Sequence, residues 1–127
     1  MLSELLIIAA TLMAEAGGEP LIGKKAVASV IVNRASSSTP GDVCLAPMQF
    51  SCWNAGEHEM IVRIRTWVRA DSDAWTDCLA VARHVTEGTF KPTIAANHYF
   101  NPEIASPSWA TQLHNPIQIG SHLFGEL

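Results

Sequence analysis

Hydrophobic and polar positions follow two rhythms along this chain, a helical one as far as Gly88 and a shorter one after Lys91-Pro92. Ser3 is placed to cap a first helix with Glu4 at its positive end, and good helix formers run to Ala16, where Gly17-Gly18 supply a stop. Glu19-Pro20 announces a second helix, proline being suited to a first turn, which continues through LIGKKAVASVIVNRA to the SSSTPG break. Residues 41–56, with proline and glycine among them, predict a loop over one face. From Glu57 to Ala70 the pattern is amphipathic, with Met60, Ile64, Trp67 and Val68 on one side and Glu59, Arg63 and Arg69 on the other. Ser72 caps a further helix in which Trp75, Cys78, Leu79, Ala82 and Val85 share a face and which Gly88 ends. Short strands are predicted for NHYF at 97–100 and for the IQIG and HLF pieces near the end, separated by a polar loop. The fold class that follows is α+β, a mostly helical single domain over residues 1–127 with a small β element near the C-terminus.

Composition narrows the function more than the fold. With 127 residues, 48% hydrophobic and 16% charged, the chain is sized for one real core. A net charge of -4 argues against nucleic acid or an anionic membrane surface as partner, because an acidic surface repels both. The three cysteines, Cys44, Cys52 and Cys78, show no CxxC spacing and are expected as buried free thiols, with a Cys44–Cys52 bridge as the alternative. His58, His84, His114 and His122 have no ligand spacing, so neither metal nor cofactor is expected. No apolar run approaches the roughly 18 residues of a membrane span. The opening apolar run and Ala14-Glu15-Ala16 imitate an export signal, yet Met1, Leu2, Ser3 and Glu4 bring no Lys or Arg ahead of it. The expectation is a chain made in the cytoplasm without a signal peptide, its N-terminus part of the fold.

Two glutamates stand out by their surroundings. At about 100° per residue, Glu4, Thr11 and Glu15 fall within about 40° on an otherwise apolar first helix. Such a helix belongs in a core, so this stripe must either meet water at a cleft or be satisfied by specific partners. Glu15 lies in the last turn, where the helix dipole disfavours negative charge, and burial acts in the same direction, toward the protonated acid. Glu19 stands at the start of the next helix, where unpaired N–H groups favour the carboxylate. Carboxyl groups driven apart by environment serve acid-base chemistry near neutral pH. The pattern alone also fits a solvated Glu15 and a Glu19 that merely caps or complements its helix.

The string AEAGGEPLIGKKAVASVIVNR at 14–34, followed by MQFS at 48–51, HYFNP at 98–102 and IGSHLF at 119–124, resembles the SleB/CwlJ-like cell wall hydrolases. These enzymes cut peptidoglycan during spore germination and also occur as phage lysins. The resemblance spans most of the chain and is weakest between about Glu57 and Arg69. It implies a lysozyme-like domain with Glu15 as catalytic acid and, as substrate, the β-1,4-linked glycan strand between N-acetylmuramic acid and N-acetylglucosamine. It further implies a lytic transglycosylase, in which Glu15 acts first as acid and then as base; a muramidase hydrolysis would need a second carboxylate, for which Glu19 is the nearest candidate and Glu57 and Glu103 are others.

The other residues of the resembling strings are expected as groove walls. Gln49 and Ser51 would bind sugar hydroxyls or acetamido groups, Phe50 and Tyr99 would offer apolar faces, and His98 and Asn101 would orient the substrate. Ordinary packing is the alternative for Phe50, and Asn101-Pro102 is also a turn signal. Asn33 and Arg34 are expected to be structural, and Trp67 and Trp75 to lie in the core. Two rivals remain: a cysteine peptidase or amidase using Cys52 and His98, and a non-catalytic glycan-binding or phage structural module contacting partners through Arg63, Arg65 and Arg69. The setting implied for the enzyme is a phage or prophage endolysin released to the periplasmic wall by a holin-type membrane-permeabilising partner.

Overall fold

The computed structural model describes residues 2–127. Five helices precede a three-stranded sheet: α1 (Glu4–Ala16), α2 (Leu21–Arg34), α3 (Pro40–Leu45), α4 (Glu57–Ala70), α5 (Asp73–Thr86), then β1 (His98–Phe100), β2 (His114–Ile119) and β3 (His122–Glu126). Single 3-10 turns occupy Ser51–Trp53 and Ala110–Gln112. The expected caps form, Ser3 accepting from the Leu6 N–H at 3.3 Å and Ser72 from the Trp75 N–H at 3.1 Å.

α1 is the central element. Ile8, Ala9, Ala10 and Leu12 are fully buried, and the helix packs chiefly on α5, with α3 and α2 on its other flanks. Val27, Val30 and Ile31 of α2, Trp75 and Cys78 of α5 and Phe124 of β3 complete the same core. Burial of one such large side chain contributes about 1.5–3 kcal/mol, so α1 is held by its neighbours rather than by intrinsic helix propensity.

The sheet is antiparallel in the order β1-β3-β2, with Tyr99 opposite Phe124 and Ile119 opposite His122. Gly120, at φ +57, makes the tight β2–β3 turn.

Two expectations need correction. Residues 41–56 are not simply a loop, because α3 forms there around a capping box between Thr39 and Asp42, with Pro40 in the first turn, and buries Val43 and Cys44. Val68 is 54% exposed, since α4 lies at the edge of the domain and buries only Met60 and Ile64. α1 ends at Ala16 as expected, the Gly17 N–H donating to the Met13 carbonyl at 3.0 Å.

Candidate active site

The polar stripe of α1 is resolved differently at each position. Glu4 lies against α3, where a Cβ on Gly41 would come within 3.0 Å of its Cγ. Thr11, fully buried, donates to the Ile7 carbonyl at 2.8 Å and accepts from Trp53 Nε1 at 2.9 Å. Glu15, half-buried in the last turn, meets a groove.

The C-terminal end of α2 steers the far wall of that groove into place. Asn33 Nδ2 donates to the carbonyls of Ile94 and Ala96 at 3.0 and 2.9 Å, and Arg34 Nε donates to the Asn97 carbonyl at 2.7 Å. These bonds satisfy backbone that leaves α5 without a ladder of its own and feed it into β1. The next residues of that strand bring Tyr99 to Glu15, and the Tyr99 hydroxyl donates to Glu15 Oε1. Burial, reinforced by the nearby Glu15, holds the Tyr99 hydroxyl protonated well above the ordinary phenol range. No described residue bonds Glu15 Oε2.

Glu19 is committed elsewhere. Its Oε1 accepts from the Ser121 N–H at 2.7 Å, its Oε2 pairs with Ser121 Oγ at 3.0 Å, and Nδ1 of His122 stands 3.7 Å from Oε1. The Ser121 backbone bond is the main reason its carboxyl is held below the usual carboxylate range, with burial opposing. Lys24, almost fully buried, donates through Nζ to the Glu19 carbonyl. Glu19 therefore ties the start of α2 to the β2–β3 turn.

Glu15, Glu19, Gln49, Tyr99 and Asn101 line one groove of about 530 Å³, together with Arg34, Phe100, Ile104, Ser121 and His122. Of the described carboxylates, Glu15 and Glu19 face it; Glu57 and Glu103 do not. Asn101 Oδ1 is partly used by the turn, accepting from the Glu103 N–H at 3.0 Å. Gln49 Oε1 accepts from Arg34 Nη1 at 2.9 Å.

The expected groove wall is rearranged at three positions. Phe50 is 3% exposed and belongs to the core, its ring beneath the Arg34 guanidinium at 5.9 Å, so it offers no face to a sugar. Ser51 opens the 3-10 turn, exposed but outside the groove lining. His98 lines an adjoining cleft of about 510 Å³, where its Nδ1 pairs with Asn97 Oδ1 at 3.0 Å and its ring meets Trp109 edge-on. Burial, and then Arg34, lower its pKa, favouring the neutral ring.

The cysteine reading loses its chemical basis here. All three thiols are free, and burial pushes the Cys52 thiol up to about 11, leaving little thiolate near neutrality. Cys52 also lies outside the groove lining. Trp75 is buried as expected, and Trp67, half-buried, stacks on it at 5.6 Å with Arg63 over its other side.

With this fold and groove in view, comparison with known proteins identifies the family. Residues 18–125 match the Cell Wall Hydrolase family model, and the chain belongs to that family; the match begins just beyond Glu15. Over 126 residues the chain is 31% identical to the spore cortex-lytic enzyme of Halalkalibacterium halodurans, covering 96% of this chain but 34% of that protein. The Bacillus cereus spore cortex-lytic enzyme is 29% identical over 126 residues, covering 96% of this chain and 44% of the relative, so the chain spans less than half of these curated relatives. Among solved structures, the catalytic domain of the Bacillus cereus SleB protein superposes with a TM-score of 0.64 at 26% identity, over 97% of this chain and 89% of that one. The catalytic domain of the germination-specific lytic transglycosylase SleB from Bacillus anthracis gives the same TM-score of 0.64 at 26% identity, over 97% and 93% of the two chains.

Proposed function

We propose that this domain cleaves peptidoglycan glycan strands at the β-1,4 bond between N-acetylmuramic acid and N-acetylglucosamine by a lytic transglycosylase mechanism, with Glu15 as general acid and then general base. The observation that supports a single-carboxyl mechanism is the contrast between the two glutamates facing the groove: both oxygens of Glu19 are occupied by Ser121, while Glu15 Oε2 has no partner among the described residues. Tyr99 anchors Oε1, so the transferable proton resides on Oε2.

In this scheme Glu15 gives its proton to the glycosidic oxygen as the bond from the muramic C1 to that oxygen breaks. The C6 hydroxyl of the same sugar then attacks C1, Glu15 takes the hydroxyl proton, and a 1,6-anhydro ring closes with no water consumed. Gln49 and Asn101 supply amides to sugar hydroxyls and acetamido groups, Tyr99 and Ile104 supply apolar surface, and His98 extends the contact into the adjoining cleft.

Mass spectrometry of purified peptidoglycan after digestion tests the reading. Terminal 1,6-anhydro muramic residues are expected; reducing ends that take up solvent oxygen would mean muramidase hydrolysis with a second carboxylate, and free stem peptides would mean an amidase. Glu15→Gln is expected to abolish cleavage while retaining fold and glycan binding; cleavage by that variant would remove the assignment. The setting we propose is an endolysin released to the wall by a holin-type partner, for which lysis on expression only when the inner membrane is permeabilised is the expected sign.

A further inference from the structure

Arg34 is a half-buried cation without a counter-ion among the described residues. Its Nε and Nη1 bonds go to neutral acceptors, the Asn97 carbonyl and Gln49 Oε1, and no carboxylate among the described residues pairs with it. Three of its five N–H donors keep no acceptor among the described residues. Desolvation of the guanidinium is therefore offset by no fixed anion. The Phe50 ring beneath it and the Nε bond fix the plane of the fork, so the vacant donors are pre-aimed rather than flexible.

Its position gives that vacancy a use. Arg34 and Gln49 line both the Glu15 groove and the adjoining His98 cleft, so the two meet at this pair. A ligand running from Glu15 toward His98 must pass the guanidinium. An N-acetylated glycan backbone is uncharged, and the anions of peptidoglycan sit on the peptide branch carried by each muramic residue. Asp42 also lines the second cleft, where its carboxylate disfavours an anion.

We infer that Arg34 binds a carboxylate of the stem peptide and thereby makes the domain selective for strands whose stems are ionised. A planar fork matched to a carboxylate is the recognition this geometry offers. The inference rests on the glycan-cleaving reading above and adds to it the branch that the groove reads.

The test compares glycan strands bearing free stem carboxylates with strands whose stem carboxylates have been amidated. For the wild-type chain, amidation is expected to raise KM about ten-fold with kcat little moved, the effect of losing one charge-assisted bond in a solvent-open groove. In Arg34→Gln the ratio between the two substrates is expected to fall to about one, and in Arg34→Lys to recover in part. Damage to the Asn97 and Gln49 contacts lowers activity on both substrates alike and leaves the ratio untouched, so the ratio isolates carboxylate recognition. Equal KM values for the wild type, or a ratio that persists in Arg34→Gln, overturn the inference alone. Cleavage of neither strand by the wild type overturns the glycan-cleaving reading and the inference with it.

Discussion

The Tyr99 hydroxyl donates to Glu15 Oε1, joining the middle of β1 to the last turn of α1 across 84 positions of chain. The phenol is held by two other rings: it stacks on Phe124 at 5.4 Å and meets the His122 ring edge-on at 5.1 Å. Both neighbours come from β3, whose register with β1 sets Phe124 opposite Tyr99. The sheet, though small, therefore fixes which oxygen of Glu15 is anchored and which is left without a partner among the described residues.

Tyr99→Phe follows directly from this relationship. The variant keeps the ring that packs on Phe124 and loses only the donor, so thermal stability should change little. Orientation of the proposed acid should suffer, lowering kcat about ten- to a hundred-fold with KM nearly constant. Initial rates of release of soluble glycan fragments check this, and a kcat within two-fold of wild type would show that the hydroxyl does not position Glu15.

The bonds of Glu19 to Ser121 make it a test of stability. Glu19→Ala removes both Ser121 bonds and should cost about 1–2 kcal/mol of folding free energy, the lower part of the range for bonds to a charged group because the site opens to solvent. The folded carboxyl titrates below its ordinary 4.5, so its contribution is full above that value and fades as pH falls through the lower folded value. The Tm gap between wild type and variant, clear at about pH 7, should thus narrow toward pH 3. A gap independent of pH would assign the loss to packing instead.

What the sequence made legible is what depends on neighbours in sequence. Ser3 and Ser72 cap as expected because capping involves a residue and the N–H three positions on, and the strands were marked by a change of period. Glu19 follows its position at the start of a helix, its carboxyl held below the usual carboxylate range chiefly by the Ser121 backbone bond. The α3 start signal lay in SSSTPG, but its serines and proline equally describe a break, and only burial of Val43 and Cys44 decides for a helix. Phe50 left the groove because it found the core beneath Arg34. Arg34 itself was illegible as a groove residue, since its partners Gln49 and Asn97 lie 15 and 63 positions away.

Thr11 gives a separate test of how the site is braced. Its hydroxyl accepts the Trp53 indole N–H at 2.9 Å and so pins the 3-10 turn to α1, one turn before Glu15. Thr11→Val preserves shape in the core while leaving the indole N–H unpaired and half-buried. A loss of about 1–2 kcal/mol in denaturant unfolding is expected, at unchanged m-value. No measurable loss would mean that water or a shifted turn satisfies the indole as well as the hydroxyl does.

Alkaline pH should destabilise the domain through its thiols. Burial pushes Cys44 up to about 12 and Cys78 up to about 11, against an ordinary 9.0 in the unfolded chain. Above pH 9 the unfolded state releases protons that the folded state retains, so the folded state binds more protons and stability falls as pH rises. Cys44, fully buried, should contribute a slope approaching about 1.4 kcal/mol per pH unit between those values, and Tyr99 adds a loss of the same sign above about pH 10. Thermal unfolding under reducing conditions from about pH 8 to 10.5 should show a falling Tm, and Cys44→Ala should show a shallower fall from a lower starting point. A Tm flat across this range would mean that the thiols ionise in the folded chain as readily as in the unfolded one, and that the space around Cys44 admits water.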